Sequence, residues 1–209
     1  DCQVQCFAIL RDRYNNPVTH PNTRVFFRSE QGTILSPVSP DSEGRIAVNY
    51  NPNGGIPFDV DPMPDEPSDV SVGVDGRLRN SRDMLVTIMA WTAGEEAFVD
   101  GNGNGSYDDG EVFTDLPEPF LDVNDDNTFN PTNGDQFVDI ETPDQPFDGE
   151  WSEGNREWDA STTIWTSTHV MISGDPGSVV DDSTFQGAPI VPITRTGVIE
   201  YRPIDRYHN

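Results

Sequence analysis

The sequence predicts an all-β sandwich interrupted by a long, mostly irregular acidic insertion. Three observations carry that expectation. Short β-prone runs recur between Gly, Pro and Asn turns, with no stretch of helical periodicity. Of a formal net charge of −25, −19 falls within residues 95–159, where 20 acidic residues stand against Arg156 alone. On either side of that segment, Met84–Trp91 and Ser161–Ile172 are rich in β-formers, so the bracketing strands can pair in one sheet.

Taken in order, residues 1–94 supply the first part of the sandwich. Gln3–Arg11 reads as a strand, Asn15-Asn16-Pro17-Val18 as a turn, and Arg24–Arg28 as a second strand. Gln31-Gly32 turns into Thr33–Leu35, and Glu43–Tyr50 alternates apolar with polar residues as a half-buried strand should. Residues 51–69 are dense in Pro, Gly and Asp and predict a long irregular loop. Strand signals resume at Val70–Val74 and culminate in the uncharged run Met84–Trp91, expected to be a central strand. Residues 160–174 return to the sandwich. Residues 175–209 form a β-prone tail in which Pro189 and Pro192 favour an edge or irregular placement. Both chain ends are β-prone, and neither has an evident partner in the sequence.

The acidic segment does not have the composition of a disordered linker. Phe98, Phe113, Phe120, Phe129, Phe137, Phe147, Trp151 and Trp158 all lie inside it, and disordered acidic tracts are poor in aromatics. Carboxylates packed this densely repel one another unless cations neutralise them. Asp100-Gly-Asn102-Gly-Asn104-Gly105-Ser106-Tyr-Asp108-Asp-Gly-Glu111 fits the D-x-[DN]-x-[DN]-G-x5-E loop at every specified position. Calcium takes six to eight oxygens. Asp100, Asn102 and Asn104 would supply side-chain oxygens, Ser106 its carbonyl, Asp108 a direct or water-mediated ligand, and Glu111 a bidentate closure. The flanking helices of an EF-hand are missing, since Pro117 and Pro119 rule one out after the loop.

A tetrad [Glu/Asp]-x-Phe-x-Asp occurs four times, at Glu96–Asp100, Glu111–Asp115, Glu118–Asp122 and Asp135–Asp139. It suggests a chain of loops in which one carboxylate closes a site and the next opens another, with the phenylalanine buried between successive sites. A second loop would use Asp122, Asn124, Asp126, Thr128 and Asn130, with Asn127 replacing the glycine and Asp135 closing two residues late. Asp115 and Glu118 would link the loops. Asp139, Glu141, Asp144 and Asp148 outline a less regular third site. Two or three calcium ions are expected.

Other chemistries are excluded or weakly supported. All 12 basic residues are arginine, so lysine Schiff bases, lysine general bases and lysine isopeptide cross-links are impossible. The acidic balance opposes nucleic-acid binding, and no apolar run is long enough for a membrane span. The sequence contains no signal peptide, which a mature chain or an excerpt would have lost. His20, His169 and His208 have no catalytic motif around them. Carboxylate pairs suited to a glycosidase would arise by chance among so many acids. Trp91, Trp151, Trp158 and Trp165 could serve as glycan- or partner-binding platforms, or as core and loop anchors. Cys2 and Cys6, in one extended strand, would lie about 13 Å apart, beyond the roughly 7 Å limit for a disulfide. They require a bent N-terminus, a partner thiol elsewhere, or two free thiols.

The sequence resembles the bacterial Ig-like surface modules of the invasin and intimin type (Big-1-like), carrying an acidic calcium-binding insertion. The resemblance rests on Asn16-Pro17-Val18, Val25-Phe26-Phe27, Leu85–Asp100 with its Gly94-Glu95-Glu96-x-Phe98-x-Asp100 junction, Asn102–Asp108 with Gly110-Glu111, and Trp158–Trp165. It covers roughly residues 3–174. It implies an Ig-like β-sandwich and an extracellular, non-enzymatic, structural or adhesive role at a bacterial surface. Within that class, self-assembly through the terminal strands or through Cys2 and Cys6 is the further expectation.

Overall fold

In the computed structural model the described residues are 3–54, 57, 71–72, 78–79, 85–140, 147–172, 178–181 and 201–204. They contain no α-helix. Twelve strands carry the fold: β1 (Val4–Ile9), β2 (Phe26–Ser29), β3 (Thr33–Ile34), β4 (Arg45–Asn51), β5 (Ser71–Val72), β6 (Leu78–Arg79), β7 (Leu85–Gly94), β8 (Phe120–Leu121), β9 (Gln136–Phe137), β10 (Thr162–Met171), β11 (Ser178–Asp181) and β12 (Tyr201–Ile204). The chain divides into two compact units, one comprising Asp1–Pro57 with Val86–Val170, the other Phe58–Leu85 with Met171–Asn209.

In the first unit, one sheet has the order β1-β4-β3 and another the order β10-β7-β2. Alternation in β4 explains the first sheet. Ile46, Val48 and Tyr50 are buried while Arg45, Ala47 and Asn49 are exposed, the two-residue period of a strand with one wet face. β1 pairs with β4 in antiparallel register, Cys6 opposite Val48 and Ala8 opposite Ile46. The inner faces of the two sheets meet in a core of Val25, Phe27, Ile46 and Val48, flanked by Cys6, Ala8, Leu10, Ile34 and Ala90.

β7 is the middle strand of its sheet, as its uncharged composition predicts, and both its faces are covered. Val86, Ile88 and Met89 are buried. Met89 packs outward, with Leu121 and Val123 and with the flanking Trp91, Val138 and Trp165. The part of the acidic segment around Leu121, Val123 and Val138 therefore lies on the outer face of this sheet. β10 and β7, which bracket that segment, are hydrogen-bonded neighbours.

The second unit contains two small antiparallel ladders, β5 with β6 and β11 with β12. Both chain ends, for which the sequence shows no evident partner, pair within the chain: β1 with β4, and β12 with β11. Most of the predicted loop at 51–69, and Cys2, lie outside the described residues. Cys6 is a free thiol whose pKa is raised by burial.

Candidate functional site

Two loops of the acidic segment are built alike. In the first, Phe98 bridges Phe113, while Val99 N–H bonds Val112 O at 2.8 Å and Thr114 N–H bonds Ala97 O at 2.8 Å. This two-stranded stem closes the loop Asp100–Glu111. Asp100 Oδ1 accepts the Gly103 and Asn104 amides at 2.7 and 3.2 Å, and its Oδ2 accepts the Gly105 amide at 2.7 Å. Those bonds, the one from Gly105 foremost, hold its carboxyl below the usual range. Asn102 Oδ1 accepts Asn104 N–H, and Asn104 Oδ1 accepts Ser106 N–H. Asp108 Oδ2 accepts the side-chain amides of Asn102 and Asn104, both at 2.6 Å. Glu111 closes the loop, its Oε1 accepting Gly101 N–H and its Oε2 Asp108 N–H.

The second loop repeats this pattern 22 positions later, counting Asp100 to Asp122. Phe120 pairs with Phe137 across β8 and β9. Asp122 accepts the amides of Asp126 and Asn127, and Asp126 that of Thr128. Asn124 donates its side-chain amide to Asp126. Asn127 has φ 59°, against 77° for Gly105, so asparagine occupies the left-handed position that the glycine fills in the first loop. Asp135 accepts Val123 N–H at 3.0 Å and Asn130 N–H at 2.8 Å, the counterparts of the two bonds to Glu111. A 3-10 turn at Pro131–Asn133, capped by the Asn130 side chain, accommodates the two extra residues.

Each loop is fastened by a strap from farther along the chain. Glu96 and Glu118 are both 1% exposed. Glu96 Oε1 accepts Leu116 N–H and its Oε2 accepts Asp159 N–H. Glu118 Oε1 accepts Ile140 N–H and its Oε2 accepts Ser152 N–H. Trp158 Nε1 donates to Glu96 O at 2.9 Å, and Trp151 Nε1 to Glu118 O at 3.1 Å. Asp115 accepts Arg156 N–H, and Asp139 accepts Gly149 N–H. Asn155 and Asp148 each accept the amide two residues on, from Glu157 and Glu150.

The aromatic packing matches as well. Tyr107 stacks on Trp158 with centroids 4.8 Å apart, and Phe129 on Trp151 at 4.8 Å. Phe98 and Phe113 meet Tyr107 edge-on, as Phe120 and Phe137 meet Phe129. The four tetrads are therefore two pairs, the first with the second and the third with the fourth. Their phenylalanines share one cluster per loop and do not separate successive sites.

Sequence reasoning missed the straps. Their signal is present as Asp148-Gly-Glu150-Trp151 and Asn155-Arg-Glu157-Trp158. It also missed Glu96 and Asp159 as partners. Of the third proposed site, Asp139 and Asp148 sit in the second strap, while Glu141 and Asp144 lie outside the described residues. A Cβ at Gly154 would collide with the Asp115 carboxylate, so the first strap needs glycine there.

The donor set suits a hard cation: carboxylates, amide oxygens and backbone carbonyls, with no sulfur or imidazole in either loop. Among the described residues, no group of three or more His, Cys, Asp or Glu side chains converges in a metal-holding arrangement. Oδ1 of Asp115, Oδ1 of Asp139 and Oδ1 of Asn124 are buried with no hydrogen-bond partner. Burial raises the pKa values of Glu96, Glu118 and Asp122, and neighbouring acids push the same way: Asp159 and Asp115 on Glu96, Asp139 and Asp148 on Glu118, Asp135 and Asp126 on Asp122. The fold thus places these carboxylates where negative charge is disfavoured, a cost that a cation would relieve.

The indole groups are occupied structurally. Trp165 Nε1 donates to Pro117 O at 3.0 Å, and Trp91 stacks on Phe26 at 5.6 Å. His169 faces Asp125 at 2.8 Å. No helix among the described residues is long and apolar enough to cross a membrane. No protein-family model, curated protein or solved structure matches the chain.

Proposed function

We propose that this chain is an Ig-like structural or adhesive module of a bacterial surface protein, braced by calcium in two duplicated loops. The observation that carries the reading is the duplication. Backbone bonds of the first loop recur from Asp122, 22 residues after Asp100, on oxygen-bearing side chains, although Asp126 replaces Asn104, Asn127 replaces Gly105 and Asp135 closes two residues late. A pattern that survives such changes is one in which the geometry of the oxygens matters.

Asp100, Asn102, Asn104, Asp108 and Glu111, with the Ser106 carbonyl, would hold one ion. Asp122, Asn124, Asp126 and Asp135, with the Thr128 carbonyl, would hold the other. Bound calcium supplies positive charge to a segment of −19. Because the second loop lies against a sandwich sheet through Leu121 and Val123, and the first is tied to the turn after β1 through Arg13 and Gly105, ion binding adds its free energy to folding. An outward acidic layer stiffened by ions fits a mechanical role outside the cell, where free calcium is plentiful.

Calorimetric titration of calcium into chelator-treated protein, with melts in calcium and in chelator, tests this reading. Two bound ions and a higher melting temperature in calcium are expected. No heat of binding, or superimposable melts, would refute it.

A further inference from the structure

We propose that β1 is a self-association edge: two copies of the chain pair their β1 strands antiparallel across a two-fold axis centred on Phe7, joining the two β1-β4-β3 sheets into one of six strands. This goes beyond the reading above and does not require bound calcium.

The edge itself is the first observation. Among the described residues, β1 pairs only with β4. Leu10 N–H bonds Gly44 O at 2.8 Å on the β4 side. Strand alternation then turns the amides and carbonyls of Gln5, Phe7 and Ile9 toward the open side. These three present six backbone hydrogen-bonding groups.

The side chains are the second. Edge strands are normally guarded by charge, proline or a bulge. Val4-Gln5-Cys6-Phe7-Ala8-Ile9 contains no charge and no proline, in a chain of net charge −25. Phe7 is 69% exposed and Ile9 56% exposed on its outer face. The open edge of the other sheet, β10, exposes Thr166, Ser167, Thr168 and His169 instead, which water solvates well.

The third observation is what the partner strand would cover. Beside β1 an apolar groove of about 230 Å³ opens between the sheets, lined by Ala8, Leu10, Val25, Ile46, Ala90 and Ile164. A neighbouring β1 would place its own Val4, Cys6 and Ala8 side chains over that groove, small and apolar as the space requires.

Charge and symmetry select a second copy of this chain as the occupant. The two β1 edges bring no carboxylate against each other. The second acidic loop packs on the outer face of the β10-β7-β2 sheet, across the sandwich from the joined sheet, and the first meets the chain at Arg13, beyond the paired residues Gln5–Ile9 and with that guanidinium against it. An antiparallel edge is self-complementary about any residue whose amide and carbonyl both face outward. Centring on Phe7 opposes Gln5 with the partner's Ile9 and Phe7 with the partner's Phe7, bringing the two exposed rings together on one face.

Sedimentation of the full chain over a range of concentrations, in calcium and in chelator, tests the proposal. A monomer–dimer equilibrium is expected in both. Phe7→Glu sets like charges face to face on the axis and should weaken the dimer by at least about tenfold, with unchanged circular dichroism. Val112→Glu, at a site 72% exposed in the first loop, should leave it intact. In a Cys2→Ser, Cys6→Ser background, Phe7→Cys should be captured as a covalent dimer by a short thiol cross-linker, and Val112→Cys should not. A monomer at every concentration overturns the proposal. So does a dimer unaffected by Phe7→Glu, or one lost only when residues 188–209 are removed, which would assign the edge to the tail. Dimerisation in chelator together with a failed calcium titration would separate this inference from the calcium reading.

Discussion

Arg13 and Glu95 form a two-pronged ion pair that ties the turn after β1 to the exit of β7. Arg13 Nε donates to Glu95 Oε1 at 2.8 Å, and Nη2 donates to Oε2. The same guanidinium donates through Nη1 to Gly105 O at 2.8 Å and lies 4.9 Å from the centre of the Phe98 ring. One side chain of the sandwich therefore holds both the stem and the tip of the first loop.

Arg13→Ala should lower the stability of the protein. The pair is about one-third exposed and its share is discounted accordingly, so much of the effect comes from the Gly105 bond and the ring contact. Arg13→Lys should recover little, because an ammonium cannot present the fork. Calcium affinity of the first loop should fall while that of the second stays. Chemical denaturation and calorimetry of the two variants check this. A loss shared equally by both loops would show that Arg13 acts on the whole segment.

Glu118→Ala should be far more damaging than an ordinary carboxylate deletion. It leaves the amides of Ile140 and Ser152 without acceptors in a buried setting. At about 1–3 kcal/mol for each unsatisfied donor, the expected loss is roughly 2–6 kcal/mol. Glu96→Ala should cost about the same, since its two bonds to Leu116 and Asp159 are equivalent. Urea denaturation of the pair measures both. A large difference between them would mean that the two halves are alike in geometry but not in energetics.

The strands were legible because their signal is local. β4 alternates residue by residue, and β7 is an uncharged β-branched run between polar segments. The first loop was legible because each ligand position demands a residue type. The pairing of loops with straps was not, for a physical reason. Glu96 and Glu118 accept backbone amides, and any residue except proline can donate one. The donors Leu116, Asp159, Ile140 and Ser152 therefore share no composition. The equivalence of Glu111 and Asp135 was hidden by the 3-10 turn at Pro131–Asn133, which shifts the closing acid by two residues. The mark common to both straps is the Asp/Asn-x-Glu-Trp run, whose tryptophan uses its indole N–H on a glutamate carbonyl.

Asp100→Ala should abolish one calcium site and leave one, and Asp122→Ala should do the converse. The first change also strips three backbone amides of their acceptor, though these amides reach solvent, so the metal-free protein should lose little stability. Calorimetric stoichiometry for each single variant, and no binding for the double variant, is the expected series. A single variant that loses both ions would mean that the loops bind as one unit.

The pH dependence of the metal-free protein should run opposite to that of the calcium-bound form. Glu96, Glu118 and Asp122 have folded pKa values raised above 4.5, 4.5 and 3.8, chiefly by burial. The folded state therefore binds protons more tightly than the unfolded one at these groups. Metal-free stability should rise as the pH falls from neutral through those raised values. Asp100, Asp12 and Asp41 are lowered below 3.8 by backbone and side-chain hydrogen bonds. Their contribution is complete above that value and is lost only as the pH falls through their folded values. The metal-free optimum should accordingly lie on the acid side of neutrality. With calcium bound, protons and the ion compete for the loop carboxylates, so acidification should remove stability across the same range. Melting temperatures at pH 7, 6 and 5, in chelator and in calcium, measure both slopes. A metal-free melting temperature that falls steadily toward pH 5 would mean that the buried carboxylates are already neutralised by groups within the chain, leaving no charge for calcium to relieve.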